Sequence, residues 1–245
     1  MTSTHKIAAA LGCTALLASA LACADSTDQS SSNASAAPDY QNSVRLGSYT
    51  VFYHTHADNI SGPFIPPGVD LNIKNDNLET LYAAYVRSLP YNLQVELLAG
   101  WPPLASTKGV GPATVGSVPY NGQVISQARW FAPTLLLEYV FLDKNAPLRP
   151  YIGAGATYVS FYDRTVTPAG QAAIGGPTKL SLSTSVGPTA TLGLDWHVSS
   201  RFHLYASYSW AQVKSDLTAD TDGIIRRTRI SFGPQALIVA GGLSF

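Results

Sequence analysis

The sequence predicts an all-β fold, an eight-stranded antiparallel transmembrane β-barrel. Three features predict it: few charged residues, a two-residue alternation of apolar and polar side chains, and the sorting of its connections by length. Charged residues make up 12 % of the 245 residues, whereas a soluble domain usually carries about 25 %. A lipid-facing surface explains this deficit, because a charge at the bilayer midplane costs a few kcal/mol. No run of ~18 apolar residues follows residue 24, so strands are expected to make the crossing.

The N-terminus has the pattern of a secretion signal. His5 and Lys6 give a weakly charged start, residues 7–21 form a small-residue apolar core, and residues 22–24 read Ala-Cys-Ala. We therefore predict a signal peptide over residues 1–24, cleaved before Asp25. A buried N-terminal helix is the weaker alternative, because nothing polar would cap it.

Both cysteines, Cys13 and Cys23, fall inside this leader. Cleavage after Ala24 would leave a mature chain without thiols, which suits export through an oxidising compartment. In the alternative, a lipoprotein, Cys23 would be kept and lipidated. The leucine usually found three residues before such a cysteine is displaced here, which disfavours that alternative.

Residues 25–42 are rich in Ser, Ala, Asn and Asp without an apolar period, and we predict a flexible segment there. From residue 43 to 245 the sequence consists of short alternating runs separated by Gly, Pro, Asn and Asp. Eight such runs are predicted strands: 43–54, 76–88, 92–101, 128–142, 149–162, 182–197, 202–213 and 229–245.

The third run shows the alternation clearly. Leu93, Val95 and Leu97 face one side, and Gln94 and Glu96 face the other. A soluble β-sandwich would show the same alternation, but its connections would not be sorted by length. Here long polar loops (55–75, 102–127, 163–181 and 214–228) alternate with short turns around 89–91, 143–145 and 199–200. Long loops on one side and short turns on the other are typical of outer-membrane barrels.

The C-terminus supports the same interpretation. Phe245 is the last residue, and Leu243, Gly241 and Val239 precede it at period two. A terminal aromatic residue after such a strand resembles the tag read by the barrel-assembly machinery, which we expect as a partner through Phe245. The Gly-Pro pair at 233–234 interrupts the alternation, so a bulge or the start of the last strand is expected there.

Several charged residues are predicted to face the lumen. Both signs occur, so they are expected to pair in a network that plugs the periplasmic half, because an unpaired buried charge costs several kcal/mol. An ion path is the less favoured alternative, since eight strands enclose little space. The predicted network consists of Arg45, Glu79, Arg87, Glu96, Glu138 and Asp195.

No catalytic, metal or cofactor site is predicted. Ser207 and Ser209 share a strand face with His203 but lie at least four residues away, about 13 Å along a strand. His54 and His56 share a face of an extended segment, but a structural zinc site needs four ligands and no third is nearby. With 15 basic and 15 acidic residues, no nucleic-acid partner is expected.

Several segments together resemble the OmpW family of eight-stranded outer-membrane barrels. The resemblance covers residues 44–245 and is weak only in the loops. The matching segments read NLQVELLA (92–99) followed by Pro102, APTL (132–135) with Tyr139 and Phe141, RPYIGAG (149–155) with Tyr158 and Phe161, GLDW (193–196), and the terminal Phe245.

The resemblance implies a location in the Gram-negative outer membrane, in contact with its lipid and lipopolysaccharide. It also implies passive uptake of small hydrophobic solutes through a narrow apolar channel, with a constriction and lateral escape into the membrane. The family constriction pairs an aliphatic residue on strand three with an aromatic on strand seven. Leu98 fits the first position, whereas Ser209 stands at the second, so the constriction here is expected to be wider or elsewhere. The alternative is a structural or adhesive barrel that transports nothing.

Overall fold

The computed structural model describes residues 40–53, 56–63, 70–115 and 118–245. The predicted signal peptide and residues 25–39 of the predicted flexible segment lie outside the described residues. Within these ranges the chain forms seventeen strands and one short helix: β1 (Asn42–Tyr53), β2 (His56–Ala57), β3 (Asn72–Asn75), β4 (Leu78–Ser88), β5 (Leu93–Gly100), β6 (Leu104–Val110), β7 (Thr114–Val115), β8 (Val118–Pro119), β9 (Val124–Phe131), β10 (Thr134–Val140), β11 (Leu148–Val166), α1 (Pro168–Ile174), β12 (Thr178–Leu182), β13 (Ser185–His197), β14 (Phe202–Ala211), β15 (Val213–Thr221), β16 (Ile224–Phe232) and β17 (Pro234–Ser244).

Eight of these strands close into an antiparallel barrel, which confirms the predicted fold. Around the ring the order is β1, β4, β5, β10, β11, β13, β14, β17 and back to β1. The closing pair joins the two ends of the chain, in register from Ser43 opposite Ser244 to Tyr53 opposite Pro234. Each strand therefore has a hydrogen-bonded neighbour on both sides, as a sheet in hydrocarbon requires.

The outer face of the barrel is apolar and the inner face is polar toward one end. Aliphatic side chains cover the middle of the outer face, and aromatic ones lie toward both ends, as expected at the two membrane interfaces. The exposed aliphatic residues include Leu46, Leu81, Leu97, Leu135, Leu137, Ile152, Val186, Leu192, Leu194, Leu204, Leu237 and Val239. Among the described residues, no helix has the length and hydropathy needed to cross a membrane.

Short turns join the strands at one end of the barrel. The N-terminal end of β1 and the C-terminal end of β17 also lie at this end. We call this the periplasmic end, because short turns mark that side in outer-membrane barrels. The opposite end carries the long connections. Their described residues include strands and one helix, so the prediction of long polar loops at 55–75, 102–127, 163–181 and 214–228 is wrong for those parts.

The long connections continue the barrel outward as two small sheets. β3, β6 and β9 pair in sequence and extend the outer part of β11, while β12, β15, β16 and β2 form the second sheet. Helix α1 packs beside β9. It begins after Thr167, whose hydroxyl accepts a hydrogen bond from the Gly170 amide, and ends at Gly175 with φ of 95°.

Two predicted strands each span two observed ones. The run 229–245 contains the end of β16 and all of β17, and the last strand begins at Pro234, as the break in alternation predicted. The run 128–142 contains the end of β9 and all of β10, with a break at Ala132 and Pro133. A proline lacks the amide hydrogen that the ladder needs, which explains why both breaks contain one.

Candidate functional site

The periplasmic half of the lumen is filled by a charged cluster centred on Arg45. One guanidinium nitrogen of Arg45 lies 2.7 Å from Glu96 Oε2, and the other lies 2.9 Å from Asp195 Oδ2. The guanidinium also lies 4.0 Å from the centre of the Tyr205 ring. Arg45 and Glu96 are almost completely buried. These charges come from β1, β5 and β13, so the cluster links three parts of the barrel wall across the lumen.

Three tyrosines complete this cluster, which we call the plug. The hydroxyl of Tyr82 donates a hydrogen bond to Glu96 Oε1, and the hydroxyl of Tyr205 lies 3.3 Å from Glu96 Oε2. Tyr151 stacks on Tyr205 with ring centres 5.6 Å apart. Gly193 leaves the space for Tyr151, because a Cβ at Gly193 would lie 2.2 Å from the Tyr151 hydroxyl.

Glu138 lies in the same layer and is also buried. Gln94 Nε2 donates a 2.5 Å hydrogen bond to Glu138 Oε2. Gly153 faces this carboxylate, and a Cβ at Gly153 would lie 2.6 Å from Glu138 Cγ. Four of the six residues in the predicted charge network, Arg45, Glu96, Glu138 and Asp195, are thus inside the barrel.

The other two, Glu79 and Arg87, are on the outer face, so the prediction that they face the lumen is wrong. Arg45 pairs in register with Ala84 of β4, and residues opposite each other in a sheet point to the same side. The inner residues of β4 therefore have even numbers. Glu79 accepts a 2.5 Å hydrogen bond from Ser48, and Arg87 donates one of 3.3 Å to Asn42 Oδ1.

Above the plug is a chamber lined mostly by apolar side chains. Its volume, counted to the open mouth, is about 1100 Å³. Leu98, Leu136 and Ile238 belong both to its lining and to the packing around the plug tyrosines, so they form its floor. The walls include Val51, Ala105, Trp130, Ala132, Val159, Phe161, Val213, Leu217, Ile230 and Phe232.

The two residues predicted to form the constriction, Leu98 and Ser209, both line this chamber. Both are buried. Ser209 donates a 2.8 Å hydrogen bond to Thr191 Oγ1, so its hydroxyl is held against the wall. Hydroxyls of Thr134, Thr157 and Thr189 line the same level, joined by contacts of 2.7 and 2.5 Å.

The barrel wall is interrupted beside the chamber. Below the interruption β5 pairs with β10 as far as Leu98 opposite Thr134, and above it β6 pairs with β9 from Leu104 opposite Arg129. No ladder pair joins residues 99–103 to residues 130–133 in this part of the described chain. Three prolines, at 102, 103 and 133, occupy this gap, and they cannot donate backbone hydrogen bonds. At this gap Trp130 and Ala132 line the chamber, while Trp101 and Phe131 are exposed on the outer face. The Arg129 guanidinium donates a 3.0 Å hydrogen bond to the Pro102 carbonyl there.

Ser209 and His203, which share a strand face and were weighed as a catalytic pair, have different hydrogen-bond partners. His203 Nδ1 lies 2.7 Å from Asp195 Oδ1, and its sheet neighbours place it at the periplasmic end. Ser209 is bound to Thr191 rather than to His203. His54 and the side chain of His56 lie outside the described residues.

The tyrosines of the plug and most of the chamber walls are not among the residues predicted from the sequence. Tyr205 has the same parity as His203 and Ser207, so alternation alone is enough to place it inside. No local signal identifies Val213 and Phe232, because the predicted runs 202–213 and 229–245 join each of them to a neighbouring strand. Their inward direction follows from the pairing of β15 with β16.

Closure of eight antiparallel strands, an apolar outer face and a plugged lumen define an outer-membrane β-barrel. The sequence model of the OmpW family matches residues 41–245. The chain belongs to the OmpW family, and its location is the outer membrane. The family comprises barrels without enzymatic activity.

Individual relatives agree with this assignment. Outer membrane protein W of Vibrio cholerae is 25 % identical over 213 residues, which cover 82 % of this chain and 94 % of that protein. Outer membrane protein AlkL of Ectopseudomonas oleovorans is 26 % identical over 187 residues, covering 76 % of this chain and 74 % of AlkL. The crystal structure of OprG from Pseudomonas aeruginosa matches with a TM-score of 0.73 at 18 % identity, covering 84 % of this chain and 96 % of OprG. At that identity the likeness shows the fold alone.

Proposed function

We propose that this barrel gives passive entry to small hydrophobic molecules, which enter the chamber from outside and leave sideways through the wall gap into the membrane. The observation that carries the proposal is the chamber above the plug, which is lined mostly by apolar side chains. Binding sites for small molecules are concave and mostly apolar. A polar lipopolysaccharide layer is the barrier that such a molecule must pass, and an apolar cavity lowers that barrier without an energy source.

The plug supports a lateral rather than a straight exit. The cluster of Arg45, Glu96 and Asp195 and the stacked tyrosines fill the periplasmic half. An apolar solute would have to displace buried ion pairs to continue downward, and separating such pairs costs several kcal/mol. The gap at residues 99–103 and 130–133 requires no such displacement, and its outer side faces lipid.

The direction of the apolar side chains disfavours adhesion as the main function. On the β15–β16 hairpin, Val213, Ile230 and Phe232 point into the chamber, while Lys214, Asp216 and Arg229 are exposed on its outer face. An adhesive barrel would expose a contiguous apolar patch instead. Ile225 is an exposed apolar residue on this surface, but its neighbours Asp220, Arg227 and Arg229 are polar, so no contiguous apolar patch forms on this part of the described chain.

The test is uptake of an apolar fluorescent solute into liposomes that contain lipopolysaccharide and the refolded protein. Leu98→Trp would fill the chamber floor, and Leu97→Trp, one residue away on the lipid-facing side, is the matched control. A barrier increase of about 1.4 kcal/mol slows passage about tenfold, and we expect at least that loss for Leu98→Trp. Leu97→Trp should retain the wild-type rate.

Two outcomes would contradict the proposal. If liposomes with wild-type protein fill no faster than empty liposomes, the protein has no uptake function. If liposomes with Leu98→Trp and with wild type fill equally fast, the chamber is not the route. Electrophoresis without heating checks in each case that the variant has folded into a barrel.

A further inference from the structure

We propose that Asp195, His197 and His203 form a binding site for a divalent transition-metal ion such as Zn²⁺ at the periplasmic end of the lumen. One candidate ligand atom from each of the three side chains lies within 4.8 Å of the other two. This site is independent of the proposed uptake function, because it lies on the periplasmic side of the plug, with which it shares Asp195, and not in the chamber. It also differs from the pair His54 and His56 considered from the sequence.

The backbone alone brings the three residues together. His197 and His203 are directly opposite each other in the β13–β14 hairpin, and Asp195 precedes His197 by two residues on the same face. Side chains opposite each other in antiparallel strands have Cβ atoms about 5 Å apart. The turn at residues 198–201 is short, so this register is firmly set.

The observed separations are close to those of a metal site. His203 Nδ1 lies 2.7 Å from Asp195 Oδ1, and His197 Nε2 lies 3.7 Å from the same oxygen. In tetrahedral zinc coordination, bonds of about 2.0–2.1 Å place neighbouring ligand atoms about 3.4 Å apart. Small side-chain shifts would therefore bring the three atoms onto one ion.

Imidazole and carboxylate are ligands that Zn²⁺ prefers, and three protein ligands leave a fourth position for water. The side chain of His197 is 34 % exposed, so an ion could enter from the periplasm. Asp195 and His203 are buried, so water competes little with the ion for their ligand atoms.

Asp195 has one carboxylate oxygen that faces the two histidines. Arg45 binds Asp195 through Oδ2, which leaves Oδ1 for the ion.

Two arginines oppose the site in part. Arg45 contacts Asp195 directly, and Arg149 pairs with Asp195 in register. Both repel a dication, so the affinity is expected to be lower than that of an isolated site with these ligands.

The experiment measures metal binding by the mature protein refolded in detergent without a histidine tag. Calorimetry with Zn²⁺ and the visible spectrum with Co²⁺ should show one saturable site per chain. His197→Gln should weaken binding by at least about tenfold, the size of effect seen even for residues that only support metal ligands. The half-exposed position of His197 makes this variant suitable, since its loss leaves the buried residues in place.

The double variant His54→Gln with His56→Gln is the matched control, because it removes two histidines that are not among the three proposed ligands and should bind like wild type. His203→Gln and Asp195→Asn should each also lose binding if they fold. The proposal is overturned if wild type binds no ion, or if the control loses binding and His197→Gln does not. Unheated electrophoresis separates a lost site from a lost fold.

Discussion

Arg45 shows how one residue can organise a lumen. Its side chain comes from the first strand, reaches two carboxylates on the far walls and lies over a tyrosine ring. Hydrogen bonds to charged partners are stronger than neutral ones. A buried ion pair is weak evidence for stability compared with an apolar core, but the loss of one partner is costly because it leaves the other charge without compensation.

We therefore predict that Arg45→Met lowers the free energy of unfolding by about 3–5 kcal/mol. The denaturant midpoint of the refolded protein in detergent measures this change. Arg87→Met is the control, because Arg87 is exposed on the outer face and its loss should have little effect. Equal midpoints for the two variants would show that the plug does not depend on its arginine.

At the residue scale the sequence was informative only where one face of a strand is clearly polar. In β5, Gln94 and Glu96 alternate with Leu93 and Leu97, and their directions follow from that pattern. In β4 both faces carry apolar side chains, such as Leu81 outside and Tyr82 inside. The charges at 79 and 87 then suggested the wrong phase, and only pairing with β1 resolves it.

At the scale of the elements, the important feature is the interruption between two continuous stretches of wall. β5 and β6 rise along one side of the gap, and β9 and β10 descend along the other. Prolines at 102, 103 and 133 cannot donate backbone hydrogen bonds, so the sequence itself disfavours a continuous ladder here. Its position beside the chamber could not be predicted, because the run 128–142 looks like one strand and the outer strands have weak alternation.

Pro133→Val restores a backbone donor at the gap, and we predict that it slows uptake by extending the β9–β10 wall. Valine has a high strand propensity, and its branched side chain would fill part of the gap. The readout is the same liposome assay. Pro188→Val is a control with the same change in β13, where the ladder continues through Pro188 opposite Ala156. Equal slowing in both variants, or in neither, would contradict a lateral exit at residues 99–103 and 130–133.

At the scale of the whole molecule, the barrel combines a rigid, plugged base with an open outer part. Closure leaves no free edge within the eight strands. The alternation, low charge content and sorted connections were sufficient to predict this architecture. They could not predict the two outer sheets, whose strands are short and rich in Gly, Ser and Thr, and whose pairing depends on contacts distant in sequence.

The role of Phe245 can be tested at this scale. Phe245 is exposed, and its amide bonds to the Asn42 carbonyl. If the assembly machinery reads this side chain, Phe245→Ala should lower the amount of folded protein in the outer membrane of cells, while the purified protein should refold in detergent with an unchanged denaturant midpoint. Phe202→Ala is the control, because Phe202 is an exposed aromatic residue opposite Leu243 on the neighbouring strand. A similar loss for both variants in cells would argue against recognition of the terminal residue.

The pairing of β1 with β17 has a consequence for biogenesis. Ser43 and Ser244 are partners although about 200 residues separate them, and contacts this distant in sequence slow folding. Until the last strand has been translocated, the first strand has nothing to bind on one side, and every shorter intermediate exposes two unpaired borders prone to aggregation. Assembly of this chain therefore cannot finish during its export. A chain that ends early is expected to remain a substrate for periplasmic chaperones and proteases.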